Sequence, residues 1–63
     1  MVKEYLVTGQ AYDKKDEYKQ TILLHDAFVA KDEFIAEDLF NQKFKDEYNI
    51  MKIYSVIDIS MNT

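Results

Sequence analysis

Apolar residues change their spacing twice along this 63-residue chain, and these changes set the order in which strands and a helix can form. Residues 2–12 alternate between apolar and polar side chains, which is typical of a β-strand with one buried face. Across residues 33–47 the apolar side chains recur three and four positions apart, which is typical of an amphipathic helix. Residues 50–61 alternate again and predict a closing strand.

A further strand is predicted between the first strand and the helix, at residues 18–30, where β-branched and aromatic residues are frequent. The polar stretch 13–17 before it has the length of a hairpin connection. Three consecutive apolar residues, Ile22, Leu23 and Leu24, interrupt the alternation of this strand. Either both of its faces are covered there, or a β-bulge shifts its register.

The helix has a clear predicted start and one apolar side. Asp32 is a good N-cap residue, and Glu33 places negative charge beside the positive end of the helix dipole. Asn49 is of a type that often ends helices. The apolar stripe consists of Ile35, Ala36, Leu39, Phe40 and Phe44. We expect this stripe to pack on alternate residues of the closing strand, namely Met51, Ile53, Ser55, Ile57 and Ile59.

The pattern predicts a single α+β domain over residues 1–63, with its elements in the order β-β-α-β. A helical crossover makes the second and third strands parallel to each other, so the first strand can lie between them and run antiparallel to both. We therefore expect a three-stranded antiparallel sheet of order 2-1-3, with the helix packed across one face.

The chain is near the lower size limit for independent folding, since about 60 residues bury only about 60% of the unfolded surface. Disulfides, metals or association usually compensate for this. The sequence has no cysteine and one histidine, His25, which excludes disulfides, cysteine-bound zinc and a histidine pair for a metal. We expect no metal and no cofactor. Of the usual ways to stabilise so small a chain, only association remains, either with a protein partner or with a second copy as a homodimer.

The charge balance narrows the choice of partner. Eight lysines, no arginine and twelve acidic residues give a net charge of −4. Nucleic-acid binding relies largely on neutralising phosphates, so we do not expect DNA or RNA as a partner. A basic protein surface would suit this charge. No apolar run approaches the roughly 20 residues of a membrane-spanning helix, and no signal or lipidation motif is visible. We expect a cytoplasmic protein without a membrane partner.

One helix can cover only one face of the predicted sheet. Depending on the register, the other face carries tyrosines and aliphatic residues that form the predicted protein-contact surface: Leu6, Tyr12, Tyr18, Ile22, Leu24, Tyr54 and Val56. Tyrosine is enriched at protein interfaces because its ring is apolar and its tip is polar. Two other interpretations stay open. These residues could simply be exposed to water. The tyrosines could also stack on bases as in RNA-binding sheets, in a nucleic-acid or ribosome-associated accessory protein.

No catalytic motif is found, and we expect neither catalytic residues nor enzyme activity. Gly9 is the only glycine, which excludes the glycine-rich loops that hold phosphates. Neighbouring carboxylates on a helix do not face one another, so the adjacent acidic pairs do not resemble a catalytic dyad. A DNA-mimicking inhibitor is a further alternative, with a negative stripe formed by Glu33, Glu37, Asp38, Asp46 and Glu47.

The motif Lys-Asp-Glu-aromatic occurs three times, at residues 15–18, 31–34 and 45–48. The intervals between the copies match no structural repeat period. The first copy falls in the predicted hairpin connection, the second at the predicted helix start and the third at its end. We interpret the motif as a composition bias at element boundaries.

In composition the chain resembles the small orphan proteins of phages and prophages of low-GC bacteria, with lysine in place of arginine and no proline. That resemblance implies a protein that binds a host protein. In layout it also resembles the archaeal large-subunit ribosomal protein LX, through EYLVTG at 4–9, VAKDE at 29–33 and the strand at 53–59. The basic segment of that family is replaced by DEYN at 46–49, so the resemblance extends to the layout and to no functional residue.

Overall fold

The computed structural model describes residues 2–60, and the predicted strand end at Met61 lies outside them. The elements are β1 (Lys3–Asp13), β2 (Ile22–Ala30), α1 (Glu33–Phe44) and β3 (Tyr48–Asp58). The sheet order is β2-β1-β3, and β1 pairs antiparallel with both neighbours. The predicted α+β fold and strand order are therefore confirmed.

The core lies between α1 and the central strand. Tyr5, Val7 and Ala11 of β1 are buried, as every second residue of a half-covered strand should be. Gly9 lies on the same face of β1, and a Cβ there would stand 3.1 Å from the Phe40 ring and 3.0 Å from the Lys52 carbonyl oxygen. The absence of a side chain at Gly9 is what allows the helix to lie this close to the sheet.

Phe40 is the centre of the core and is fully buried. Its ring meets Phe28 of β2 edge-on, with centroids 6.2 Å apart, and Phe44 at 4.9 Å. The Phe44 ring in turn contacts Tyr48 at 6.0 Å. Such tilted aromatic contacts add to the free energy of burying apolar surface. This line of rings fixes α1 to both edge strands.

The helix starts where the sequence predicts and ends earlier. The Asp32 carboxylate accepts a hydrogen bond from the Ile35 backbone N–H at 2.9 Å, which confirms it as the N-cap. The helix ends at Phe44, short of residue 47, with Lys45 as the C-cap. Asn49, predicted to end the helix, lies in β3, where its amide donates to the Tyr12 hydroxyl at 2.6 Å.

The connection between β1 and β2 is longer than predicted, because Asp16 organises it. The Asp16 carboxylate accepts hydrogen bonds from the backbone N–H groups of Tyr18 and Gln20, each at 3.0 Å. Asp13 accepts similarly from Lys15 at 2.9 Å, and Lys19 adopts a positive φ of 52°. Residues 16–20 are thereby held together by hydrogen bonds outside the sheet, and β2 begins at Ile22, so the prediction that β2 begins at residue 18 is wrong.

The register of β3 differs from the prediction. Its pairing with β1 shifts between Thr8 and Gly9 and again between Gln10 and Ala11, whereas β2 pairs with β1 without a shift. The bulge that was one of the two alternatives for β2 is thus absent, and two bulges lie in β3. As a result, Ile50, Ile53 and Val56 contact the core, spaced three apart instead of two.

Most of the predicted isoleucine face of β3 therefore does not meet the helix. Of its members, Ile53 packs against the core. Met51, Ile57 and Ile59 are exposed by 54%, 51% and 37%. These side chains miss the helix because each bulge adds one residue to β3. The added residue reverses the alternation, so the residues that follow it point to the face opposite the one that strict alternation predicts.

Candidate functional site: the open face of the sheet

The sheet face opposite α1 is the candidate site, and we call it the open face. Directly paired residues of neighbouring strands share a face, so the register assigns its members. They form four rows across the strands: Val29, Glu4 and Ile59; Ala27, Leu6 and Ile57; His25, Thr8 and Ser55; and Leu23, Gln10 and Lys52. Tyr54, Tyr12 and Asn49 complete the surface at the hairpin end.

Much of the apolar surface that the chain exposes lies on this open face. Leu23 and Val29 are exposed by 62% and 61%, and Tyr54 and Ile57 by 50% and 51%. Leu6, between Ala27 and Ile57, is half-buried by its neighbours. Single exposed apolar residues are ordinary, but residues that adjoin one another across three strands form a patch.

Two tyrosines of the open face are held by hydrogen bonds across strands. The Tyr54 hydroxyl reaches from β3 to β1 and donates to Gln10 Oε1 at 3.0 Å. Tyr12 accepts from the Asn49 amide, and Lys52 Nζ lies 5.4 Å from the centroid of the Tyr54 ring. Rings fixed in this way lose little conformational entropy when a partner binds. The hairpin half of the face is thus preorganised.

The open face is nearly free of the negative charge that covers the rest of the molecule. All twelve acidic side chains lie within residues 2–60, and of these only Glu4 belongs to the open face. Its basic members are Lys52 and His25, and neither Glu4 nor Lys52 forms an ion pair with another described residue. Charged residues are depleted at the centres of protein interfaces, and the open face has that composition.

The structure divides the predicted contact residues between two faces. Leu6, Tyr12 and Tyr54 lie on the open face, as predicted. Leu24 and Val56 instead pack against the core, and Ile22 lies opposite Ala11 on the helix side. Placing these three on the uncovered face was therefore wrong.

Tyr18, the remaining predicted contact residue, lies in the connection between β1 and β2 and is 84% exposed. The sequence prediction missed Leu23, Val29 and Ile57. The sequence did contain a signal for Leu23 and Val29. Each lies next to residues that face the helix, and side chains alternate between the two faces of a strand, so both belong on the other face. Ile57 could not be assigned without knowledge of the bulges.

At the outer edge of β2, the side chain of Asp26 bonds to the backbone of its own strand. The Asp26 carboxylate accepts hydrogen bonds from Lys43 Nζ of α1 and from the Ala27 backbone N–H. These two bonds, with the Lys43 hydrogen bond the larger cause, hold the pKa of Asp26 below its usual 3.8. Lys43 Nζ also lies 5.9 Å and 5.5 Å from the centroids of the Phe28 and Phe44 rings.

The far end of β3 is tied to β1 by Ser60. Its hydroxyl oxygen accepts from the Glu4 backbone N–H at 2.7 Å, and its own N–H donates to Asp58 at 2.9 Å. The backbone and side-chain hydrogen bonds of Ser60, followed by Lys3 at 3.7 Å, lower the pKa of Asp58. This corner holds Glu4 in a fixed position at the edge of the open face.

At the opposite end of the molecule the structure brings two copies of the Lys-Asp-Glu motif together. The Lys14 N–H donates to the Glu47 carbonyl oxygen at 3.0 Å. An open cleft of about 340 Å³ lies there, lined by Asp13, Lys14, Lys15, Asp46 and Glu47. Charges of both signs line it, and within residues 2–60 no group of three or more metal-ligating side chains occurs.

Comparison with protein families, with curated proteins and with solved structures finds no match to this chain. Within residues 2–60, no helix has the length and apolar character needed to cross a membrane.

Proposed function

We propose that this chain is a cytoplasmic, non-catalytic protein-binding module whose contact surface is the open face of the sheet. One observation carries the proposal: the open face gathers exposed apolar side chains and two tied tyrosines, while eleven of the twelve acidic side chains lie elsewhere. A surface with an apolar centre, few charges and fixed aromatic rings has the anatomy of a protein interface.

The edges of the sheet are less suited to binding than the open face. An exposed edge strand can pair with another chain through its backbone. On β2, the Asp26 side chain accepts a hydrogen bond from the Ala27 N–H and another from Lys43 of α1. On β3, the two bulges interrupt the regular spacing of backbone groups. Binding by addition of a strand is therefore disfavoured at both edges, which leaves the open face.

A differential pull-down tests the proposal. The tagged 63-residue chain is incubated with lysate of a low-GC bacterium, beside a variant with Leu23→Lys and Ile57→Lys. Both positions are at least half exposed, so the fold should survive. The matched control is Phe34→Lys on α1, where the side chain is 80% exposed.

The proposal requires a bound protein, either another chain or untagged copies of this one, that the double variant loses and the Phe34 variant keeps. Equal retention by both variants would exclude the open face as the contact surface. A single-stranded oligonucleotide recovered in place of a protein, and lost at moderate salt, would assign the tyrosines to base stacking and overturn the proposal.

A further inference from the structure

We infer that the partner of the open face is a second copy of this chain, packed face to face as an antiparallel, two-fold symmetric dimer. This inference rests on the proposed function and specifies it. The symmetry axis lies between the two sheets, nearly perpendicular to the strands, and passes over Val7. A two-fold axis brings the same patch of both subunits together, so the patch must be complementary to itself.

The order of the rows meets that requirement at the two ends of β2. A half turn about this axis places each strand over its own copy with the direction reversed. The row of Val29 then faces the row of Leu23, and both side chains are more than 60% exposed in the single chain. In the inner rows, Ile57 faces Ser55, which adjoins Tyr54, and Leu6 faces Thr8. Each of these contacts occurs twice in the dimer.

The same half turn also pairs the charges. Glu4 lies in the first row and Lys52 in the fourth, on adjacent strands. Reversal of direction brings Glu4 of one copy to the row of Lys52 of the other, at a lateral offset of one strand spacing, about 4.8 Å. A lysine side chain can reach across that offset. Each charge thus finds an opposite partner that it lacks among the described residues of its own chain.

The alternative two-fold arrangement has its axis along the strands and is electrostatically worse. Each row then faces itself, so Glu4 of one copy lies over Glu4 of the other. Lys52 faces an apolar residue in both arrangements, Leu23 in this one and Ile59 in the antiparallel one, so it does not distinguish them. Opposed like charges weaken an interface, and the antiparallel arrangement avoids this contact between the two Glu4 side chains. The antiparallel arrangement is therefore favoured.

The size of the open face limits the affinity. Three strands about 4.8 Å apart and four rows about 6.8 Å apart give a flat footprint of about 400 Å² per copy. The two copies together cover about 800 Å², below the roughly 1,200 Å² at which stable interfaces begin. Side-chain relief adds to this area, and we expect a weak dimer with a Kd of about 100 µM.

Sedimentation equilibrium of the full chain at low salt, from about 10 µM to 1 mM, tests the inference. The apparent mass should rise from 7.5 kDa towards twice that value. Glu4→Lys and Lys52→Glu should each weaken association by about tenfold, since each places two like-charged pairs in the dimer. The chain with both substitutions should regain the affinity of the original, because the pairs are restored with their signs exchanged.

Each outcome is decisive. A wild-type chain that stays at 7.5 kDa at 1 mM overturns the inference, and the pull-down then decides separately whether the open face binds another protein. Dimerisation that Lys52→Glu leaves unchanged, or that the double exchange fails to restore, contradicts the antiparallel register. Glu37→Lys on α1 is the control for net charge and should leave the Kd within about twofold, and circular dichroism verifies that each variant is folded.

Discussion

The ring of Phe40 lies directly over Gly9, at a distance that leaves no room for a methyl group on the central strand. A Cβ at Gly9 would be 3.1 Å from two ring carbons of Phe40. This contact sets how closely α1 approaches the sheet, and it commits one face of β1 entirely to the core. The other face is left to the half-buried and exposed residues of the open face.

Gly9→Ala should therefore destabilise the fold. The added methyl group must displace the Phe40 ring and the Lys52 carbonyl oxygen, and overpacking of this kind costs about 1–3 kcal/mol. Reduced backbone freedom in the unfolded chain offsets less than about 1 kcal/mol of this. Urea denaturation should show a net loss of about 1 kcal/mol.

The matched experiment is a double-mutant cycle with Phe40→Leu. The smaller side chain should relieve part of the clash, so the two losses in unfolding free energy should sum to more than the loss in the double variant. Additive losses would mean that Gly9 and Phe40 do not contact each other. Phe34→Leu, on the exposed side of α1, should leave the Gly9→Ala effect unchanged.

Asp16→Ala should weaken the connection between β1 and β2. The substitution removes the acceptor of two backbone hydrogen bonds, from Tyr18 and Gln20, that hold residues 16–20 together. The expected loss is about 1 kcal/mol of unfolding free energy, as for other side chains that cap backbone N–H groups. Glu17→Ala is the control in the same turn and should change stability by less than about 0.5 kcal/mol. Equal losses of stability at both positions would show that the hydrogen bonds to the Asp16 carboxylate do not stabilise the turn.

The stability of the protein should fall with acid partly through Asp26 and Asp58. Both carboxyl groups have folded-state pKa values below their usual 3.8. A depressed pKa means that the contribution to stability is complete above the unfolded pKa and is lost as the pH falls through the folded pKa. The loss should therefore occur below about pH 4.

Carboxyl NMR titration should place the midpoints of both groups below 3.8. Asp26→Asn should reduce the pH dependence of the urea midpoint below pH 4, and Lys43→Met should raise the pKa of Asp26. An Asp26 midpoint at or above 3.8 that Lys43→Met does not change would show that the Asp26–Lys43 contact is not formed in solution.

The order of the elements and the N-cap at Asp32 were predictable because each depends on local signals. The apolar period changes at the element boundaries, and capping requires only one acceptor at one position. A strand order of 2-1-3 then follows from a helical crossover between the outer strands. Local chemistry and chain connectivity were sufficient for this part of the fold.

The register of β3 was not predictable in the same way. Its sequence places apolar residues at both odd and even positions, so two-residue alternation and a bulged arrangement bury similar amounts of apolar surface. The choice depends on which side chains fit against Phe40 and Phe44, and that is a tertiary contact. Because the register was missed, Val56 was placed on the open face and Ile57 was left out.

The dependence of backbone amide chemical shifts on protein concentration reports directly on association through the open face. The claim is that the open face binds a second copy of the chain. Dilution of labelled protein from about 1 mM to about 20 µM should shift the amides of Leu6, Ala27 and Ile57, while those of Phe34 and Glu37 on α1 stay constant. Shifts confined to α1 or to the Asp16 turn, or no shifts across this range, would contradict the claim.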